Sequence, residues 1–135
     1  NVQVINGVSD GNDPDLMIKC TKRWIIACLM NLIDNSIYWL KTVGSEEKNI
    51  YIGTRSETGS KPVLFVADNG PGFYDPPEML VEPFMTRKSD GMGLGLHIVN
   101  EVMKVHEGRL FFPSREDLDI EEKYSGAIIA MQFKE

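Results

Sequence analysis

No run of apolar residues approaches the roughly 18–20 that a bilayer-spanning helix needs, and no signal peptide opens the sequence. Cysteine is scarce. The two present, Cys20 and Cys28, stand eight apart in a segment that reads as helical. That spacing matches no metal motif and no disulfide framework, so a reducing, intracellular compartment is expected. Positive charge is in deficit: 14 Lys and Arg face 20 Asp and Glu, for a net charge of −6. Nonspecific binding to nucleic acid or to an anionic membrane is therefore disfavoured. Internal repeats and low-complexity tracts are missing, and so is an initiator methionine, since the chain opens on Asn1. The expectation is a single domain over residues 1–135, cut from a longer protein that could itself be membrane-anchored. The length of 135 residues, with 42% hydrophobic and 25% charged residues, suits one core.

What is present sorts into a mixed pattern. Val2–Ile5 alternates and is β-branched, as strands are, and Asn6–Pro14 is rich in loop residues. A long helix is predicted from about Asp15 or Thr21 to Val43, with Ile26, Leu29, Ile33, Ile37 and Leu40 as its apolar stripe and Gly44 as its stop. Asn49–Arg55 and Pro62–Ala67 read as strands and Asp68–Gly72 as a turn. Asp75–Gly93 reads as irregular apart from a short helical turn near Glu78–Val81. A second helix is predicted from Gly93 to about His106, then a strand over Arg109–Pro113, a charged loop over Arg115–Lys123 and a last strand over Gly126–Phe133. This order argues for an α+β fold: a two-layer sandwich with a mixed, mostly antiparallel sheet and its helices on one face.

Three local patterns carry chemistry. Asn31, Asn35, Tyr38 and Thr42 follow spacings of four, three and four and so share one helix face, which the pattern sets roughly opposite the stripe through Ile33. Asn is a poor mid-helix residue because its amide competes for backbone hydrogen bonds. Two of them one turn apart read either as a solvated face or as carboxamide oxygens offered to a hard cation such as Mg²⁺. The buried-strand run Val63–Ala67 leads into Asp68-Asn69-Gly70-Pro71-Gly72. Here Asp68 either caps a tight turn or offers one directed acceptor to an exocyclic amine such as that of adenine. Gly91-Met92-Gly93-Leu94-Gly95-Leu96 leads into the second helix, where unpaired N–H groups and the helix dipole favour a phosphate. Close packing of that helix start is the other reading. A dinucleotide-binding turn does not fit, because Leu96 takes the place of the last small residue. A Walker loop does not fit either, because no Gly-Lys-Ser/Thr follows.

Taken together and in order, these patterns resemble the superfamily of gyrase B, Hsp90, histidine kinases and MutL. Asn31–Asn35 resembles its N box, Asp68–Gly72 its first glycine box, Glu82–Lys88 its phenylalanine box and Gly91–Leu96 its second glycine box. The resemblance runs from about Asn31 to Gly108 and implies the Bergerat ATP-binding fold, with ATP and Mg²⁺ as cofactors. It implies that Asn35 is the metal ligand and that Asp68 reads adenine while Gly70 and Gly72 let the backbone close over the base. Gly91, Gly93, Leu94, Gly95 and Leu96 would hold phosphates, and Thr86, Arg87 and Lys88 would belong to a short lid from Met85 to Asp90. Asn31 and Lys88 are the expected catalytic residues.

Position 31 sorts the subfamilies. Hydrolytic relatives place a glutamate there to activate water, whereas Asn31 resembles the histidine kinases; an amide is no general base at neutral pH. The resemblance therefore implies a sensor histidine kinase catalytic domain. Such a domain would hand the γ-phosphate to a histidine on a separate dimerisation domain, with a response regulator downstream and neither nucleic acid nor membrane contacted. The alternatives are an ATP-driven clamp or switch related to MutL or Hsp90, or a nucleotide-binding module without turnover. Tyr38 and Trp39 depart from the pattern, where many histidine kinases carry Lys and then an aromatic. Ala127 and Ile128 depart too, because threonine often follows the glycine that opens the last strand. His106-Glu107 superficially looks like a phospho-acceptor pair but sits in the family's helix-end turn, and His97 is expected to pack.

Overall fold

The computed structural model describes residues 2–7, 18–42, 47–56, 61–84 and 95–134. Among the described residues five strands form one sheet: β1 (Val2–Asn6), β2 (Lys48–Arg55), β3 (Val63–Asp68), β4 (Arg109–Phe111) and β5 (Ile128–Gln132), in the spatial order β1-β2-β3-β5-β4. β1 runs parallel to β2, and every other pairing is antiparallel. The helices are α1 (Lys22–Leu40), α2 (Pro77–Leu80), α3 (Gly95–Val105) and α4 (Arg115–Leu118). α1 and α3 pack against each other and cover one face of the sheet.

β3 lies between β2 and β5, and all six of its residues are buried. Val63–Ala67 is accordingly apolar without alternation, as a strand covered on both faces should be, and the strand ends on Asp68. Leu64 and Val66 join Ile50, Ile52, Ile129 and Met131 under the two long helices, whereas Val63, Phe65 and Ala67 face the other way with Ile128 and Ala130. Pairing of Ile50 with Asp68 and of Ala67 with Ile128 fixes the register that brings the end of β3 beside the start of β5.

α1 is rotated from the predicted stripe. Its buried residues are Ile25, Cys28, Leu32, Ser36 and Leu40, and Ile26 is 51% exposed. Leu29, Ile33 and Ile37 are partly buried at the edge of the core. The apolar pattern is broad enough to fit two rotations, and the polar Ser36 hid the centre of the true one. The helix also ends three residues earlier than predicted, at Leu40; Gly44 lies outside the described residues.

The predicted charged loop over Arg115–Lys123 begins instead as α4. Ser114 and Asp117 form a capping box: Ser114 Oγ accepts the Asp117 N–H and Asp117 Oδ2 accepts the Ser114 N–H at 3.0 Å. Such a box supports even one helical turn, and it carries no apolar period to reveal it. Leu118, Ile120 and Tyr124 then pack on the sheet face away from α1. Arg55 holds this cover down, its Nε donating to the Leu118 carbonyl at 2.7 Å and its guanidinium lying 5.0 Å from the Phe65 ring centre.

Candidate functional site

Asp68, the last residue of β3, is 2% exposed. Its Oδ1 accepts the backbone N–H groups of Gly70 at 2.9 Å and Ala127 at 3.0 Å, and its Oδ2 accepts the Ser36 hydroxyl at 2.7 Å. Three donors occupy three of about four lone-pair positions on a carboxylate, which leaves one for a ligand donor. Burial pushes the carboxyl pKa above its ordinary value, while the bonds from Ser36, Gly70 and Ala127 pull it back in part. The backbone of the same residue is also fixed, with its N–H donated to Ala127 O and its C=O accepting Gly126 N–H. Ala127 thus serves through its amide in a place where its methyl side chain contributes no hydroxyl.

The turn after Asp68 is built around close approaches. A side chain at Gly126 would press on Asp68 Oδ1 and come within 2.6 Å of the Gly70 nitrogen and carbonyl oxygen, so no larger residue fits there unless the turn shifts. Gly72 has φ +82°, a left-handed conformation that favours glycine. Beyond it two consecutive aromatics anchor the chain in different directions. Phe73 sets its ring edge-on to Phe112 at 5.2 Å, and Tyr74 leans on Trp39 at 5.3 Å. Tyr38 and Trp39, in the last two turns of α1, are themselves edge-to-face at 5.0 Å.

Trp24 lies edge-on to His106, just beyond the end of α3, with ring centres 6.0 Å apart. Trp24, Asn31 and Asn35 are spaced by seven and four and share one flank of α1, so both asparagines stand on the side where α3 packs. That flank lies beside the core stripe and not opposite it, contrary to the sequence expectation, because the core rotation moved. Both asparagines are half-buried, and neither amide has a hydrogen-bond partner among the described residues. Ser36, next to Asn35, reaches Asp68 directly, so α1 and the β3 turn meet at this point.

The described part of the second glycine segment is Gly95, at the start of α3, and Leu96, which packs on the core. Thr86, Arg87, Lys88, Gly91, Gly93 and Leu94 lie outside the described residues, as do Met85, Asp90 and Met92. Their expected roles find no geometry here. Among the described residues no group of three or more His, Cys, Asp or Glu side chains could hold a metal.

Both histidines have structural partners. His106 Nε2 accepts the Thr21 N–H at 3.0 Å, and its Nδ1 lies 2.8 Å from the Val102 carbonyl. The ring therefore carries its proton on Nδ1 and tethers the start of α1 to the end of α3. His97 Nδ1 lies 3.2 Å from the Val81 carbonyl. Sequence reasoning missed Ser36, whose only signal was a small polar residue at the centre of a buried stripe. It also missed the steric demand at Gly126.

Comparison with known proteins supplies a family and a shared fold. A family profile described as histidine kinase-, DNA gyrase B-, and HSP90-like ATPase matches residues 20–134. The C4-dicarboxylate transport sensor protein DctB of Rhizobium meliloti is 35% identical over 107 residues, covering 78% of this chain and 16% of that protein. An NtrY-like sensor histidine kinase of Rickettsia prowazekii is 41% identical over 127 residues, covering 92% of this chain and 19% of that protein. The chain thus spans less than a fifth of the length of these curated relatives. Among solved structures, a mycobacterial sensor histidine kinase, MprB, superposes with a TM-score of 0.72 at 21% identity, over 98% of this chain and 82% of the other. Full-length ShkA in complex with AMPPNP superposes at 0.71 with 22% identity, over 98% of this chain and 25% of that one. At such identities the likeness shows a shared fold. No helix among the described residues is long and apolar enough to cross a membrane.

Proposed function

Because the chain belongs to the family of histidine kinase-, DNA gyrase B- and HSP90-like ATPases, and is within it an ATP-binding catalytic domain of the sensor histidine kinase kind, we propose that it binds Mg-ATP between α1, the Asp68–Gly72 turn and the start of α3, and donates the γ-phosphate to a histidine on a separate dimerisation domain. One observation carries this reading. A carboxylate is buried at the end of an apolar strand, with one acceptor position spare, beside a helix flank that bears two half-buried amides without partners among the described residues. Burying a charge in this way costs stability unless it is well bonded; three donors hold Asp68 and leave the remaining position to a ligand.

In this reading Asp68 accepts the adenine amino group, and Gly70 and Gly72 let the backbone lie against the base. Asn35 gives its carboxamide oxygen to Mg²⁺, which favours hard oxygen ligands. Gly95 and Leu96 contribute helix-start N–H groups to the phosphates, together with Gly91, Gly93 and Leu94. Thr86, Arg87 and Lys88 would serve the terminal phosphate, and Asn31 and Lys88 would serve the transfer itself. Catalysis is then mainly positioning and charge neutralisation. The domain works in the cytoplasm, upstream of a response regulator. An amide at position 31 speaks against a hydrolytic clamp.

The test is transfer of labelled γ-phosphate from ATP in the full-length protein. An acid-labile phosphohistidine is expected, and it should be lost in Asn35→Ala. Label that is acid-stable, or retained in full by Asn35→Ala, would overturn the proposal. Calorimetry on the isolated chain should first show binding of Mg-ADP.

A further inference from the structure

His97 stands in the first turn of α3, half-buried, and its ring reaches across to the end of α2. α2 is only four residues long, entered through extended Pro76 and started by Pro77. A helix leaves its last carbonyls without intrahelical partners, and Val81, the C-cap of α2, presents such a carbonyl. His97 Nδ1 meets it at 3.2 Å. Since a carbonyl only accepts, Nδ1 is the protonated nitrogen and donates.

This contact closes a continuous chain of fixed parts. Asp68 is held by Ser36, Gly70 and Ala127. The segment leaving that turn is pinned by Phe73 on Phe112 and Tyr74 on Trp39. α2 follows three residues later, its end is bonded to His97, and His97 belongs to the first turn of α3. We propose that His97 is a positioning residue for nucleotide binding, tying the end of α2 to the first turn of α3 so that the phosphate end of the site is held in register with the adenine end. This inference rests on the nucleotide reading above. Its substance is a distance constraint: a nucleotide spans a fixed length, and a site whose two ends move independently must be ordered on binding, at a cost in affinity.

The test uses the whole chain with Mg-ADP as the probe, and compares wild type with His97→Ala, His97→Asn and His97→Gln. An Asn side-chain nitrogen superposes on Nδ1 of histidine, whereas a Gln nitrogen corresponds to Nε2. His97→Ala and His97→Gln should weaken ADP binding by roughly 3- to 10-fold, the range set by loss of one neutral hydrogen bond, and His97→Asn should restore most of it. Melting temperatures measured alongside separate this from general loss of structure, since side-chain removal alone would affect Asn and Gln variants alike. Unchanged ADP affinity in His97→Ala, or equal loss in all three variants, or rescue by Gln as good as by Asn, would overturn the inference while leaving the nucleotide reading intact. Absence of ADP binding in wild type would instead overturn the nucleotide reading and the inference with it.

Discussion

Ser36 Oγ donates to Asp68 Oδ2 at 2.7 Å across 32 residues of sequence, from the buried centre of α1 to the last residue of β3. Hydrogen bonds to charged groups are shorter and stronger than neutral ones, and this one is the direct side-chain link between the two elements that frame the candidate site. Ser36→Ala removes the donor and leaves a buried carboxylate oxygen unpaired. The expected loss is about 1–3 kcal/mol of stability, measured by urea unfolding, with weaker ADP binding. Full stability and full binding in the variant would show that the hydroxyl is dispensable.

The pH dependence of stability should carry the mark of Asp68. Its folded-state pKa is raised, chiefly by burial, so in the window from its ordinary value upward the folded state holds the proton more tightly than the unfolded state. The contribution is therefore fully present below the unfolded pKa and is lost as pH rises through the folded one. Asp68→Asn has no such titration, and its amide can still accept from Gly70 and Ala127 while donating to Ser36. The stability of wild type relative to Asp68→Asn should fall as pH rises from about 4, until Asp68 is fully ionised. A difference that is flat across that range, or that rises, contradicts burial as the dominant cause. Binding should move the other way at neutral pH, with Asp68→Asn weakening ATP and blunting its discrimination from GTP.

Asp68, Asn31 and Asn35 stand out in the sequence because each is a polar residue in a place that local rules discourage: strand end, mid-helix, mid-helix. Ser36 does not, since a small hydroxyl is tolerated almost anywhere in a helix and its partner lies 32 residues away. The core face of α1 was misplaced for a related reason. Ile26, Ile33 and Ile37 form an apolar row as regular as the true one, and tertiary contacts decide between them: core packing of Ile25, Cys28, Leu32 and Leu40 and the bond from Ser36 to Asp68. α4 escaped because its evidence is a capping box in a charged segment, a local signal without periodicity. Strand order, and with it the juxtaposition of Gly126 with the Asp68 turn, is a long-range property that no window of sequence contains.

Two glycines should respond differently to the same substitution. At Gly126 a methyl group would come within 2.6 Å of Gly70 backbone atoms, so Gly126→Ala must displace the turn that holds Asp68. Overpacking of this kind costs about 1–3 kcal/mol, and ADP binding should fall with it. At Gly72 nothing lies within 4 Å, but φ is +82°. Gly72→Ala should thus cost about 1–2 kcal/mol through backbone strain alone. Melting curves and ADP titrations on both variants decide the matter. If Gly126→Ala keeps wild-type affinity, the close approach is not needed for the site.

The two asparagines separate metal binding from hydrolysis. If Asn35 is the proposed metal ligand, Asn35→Ala should weaken Mg-ATP much more than metal-free nucleotide, because Mg²⁺ favours such oxygen ligands, and Asn31→Ala should weaken it less. Equal losses with and without Mg²⁺ would count against Asn35 as the ligand. Position 31 bears on turnover, since a missing general base typically costs about 10²- to 10⁴-fold. The wild-type chain should accordingly hydrolyse ATP very slowly on its own. Asn31→Glu places a carboxylate on the same flank of α1 and should raise hydrolysis, provided nucleotide binding, measured in parallel, survives the added negative charge. A wild-type rate near 1 s⁻¹ or above, ordinary for an enzyme, would mean that some other group already activates water. The phosphotransfer reading would then give way to an ATP-driven clamp.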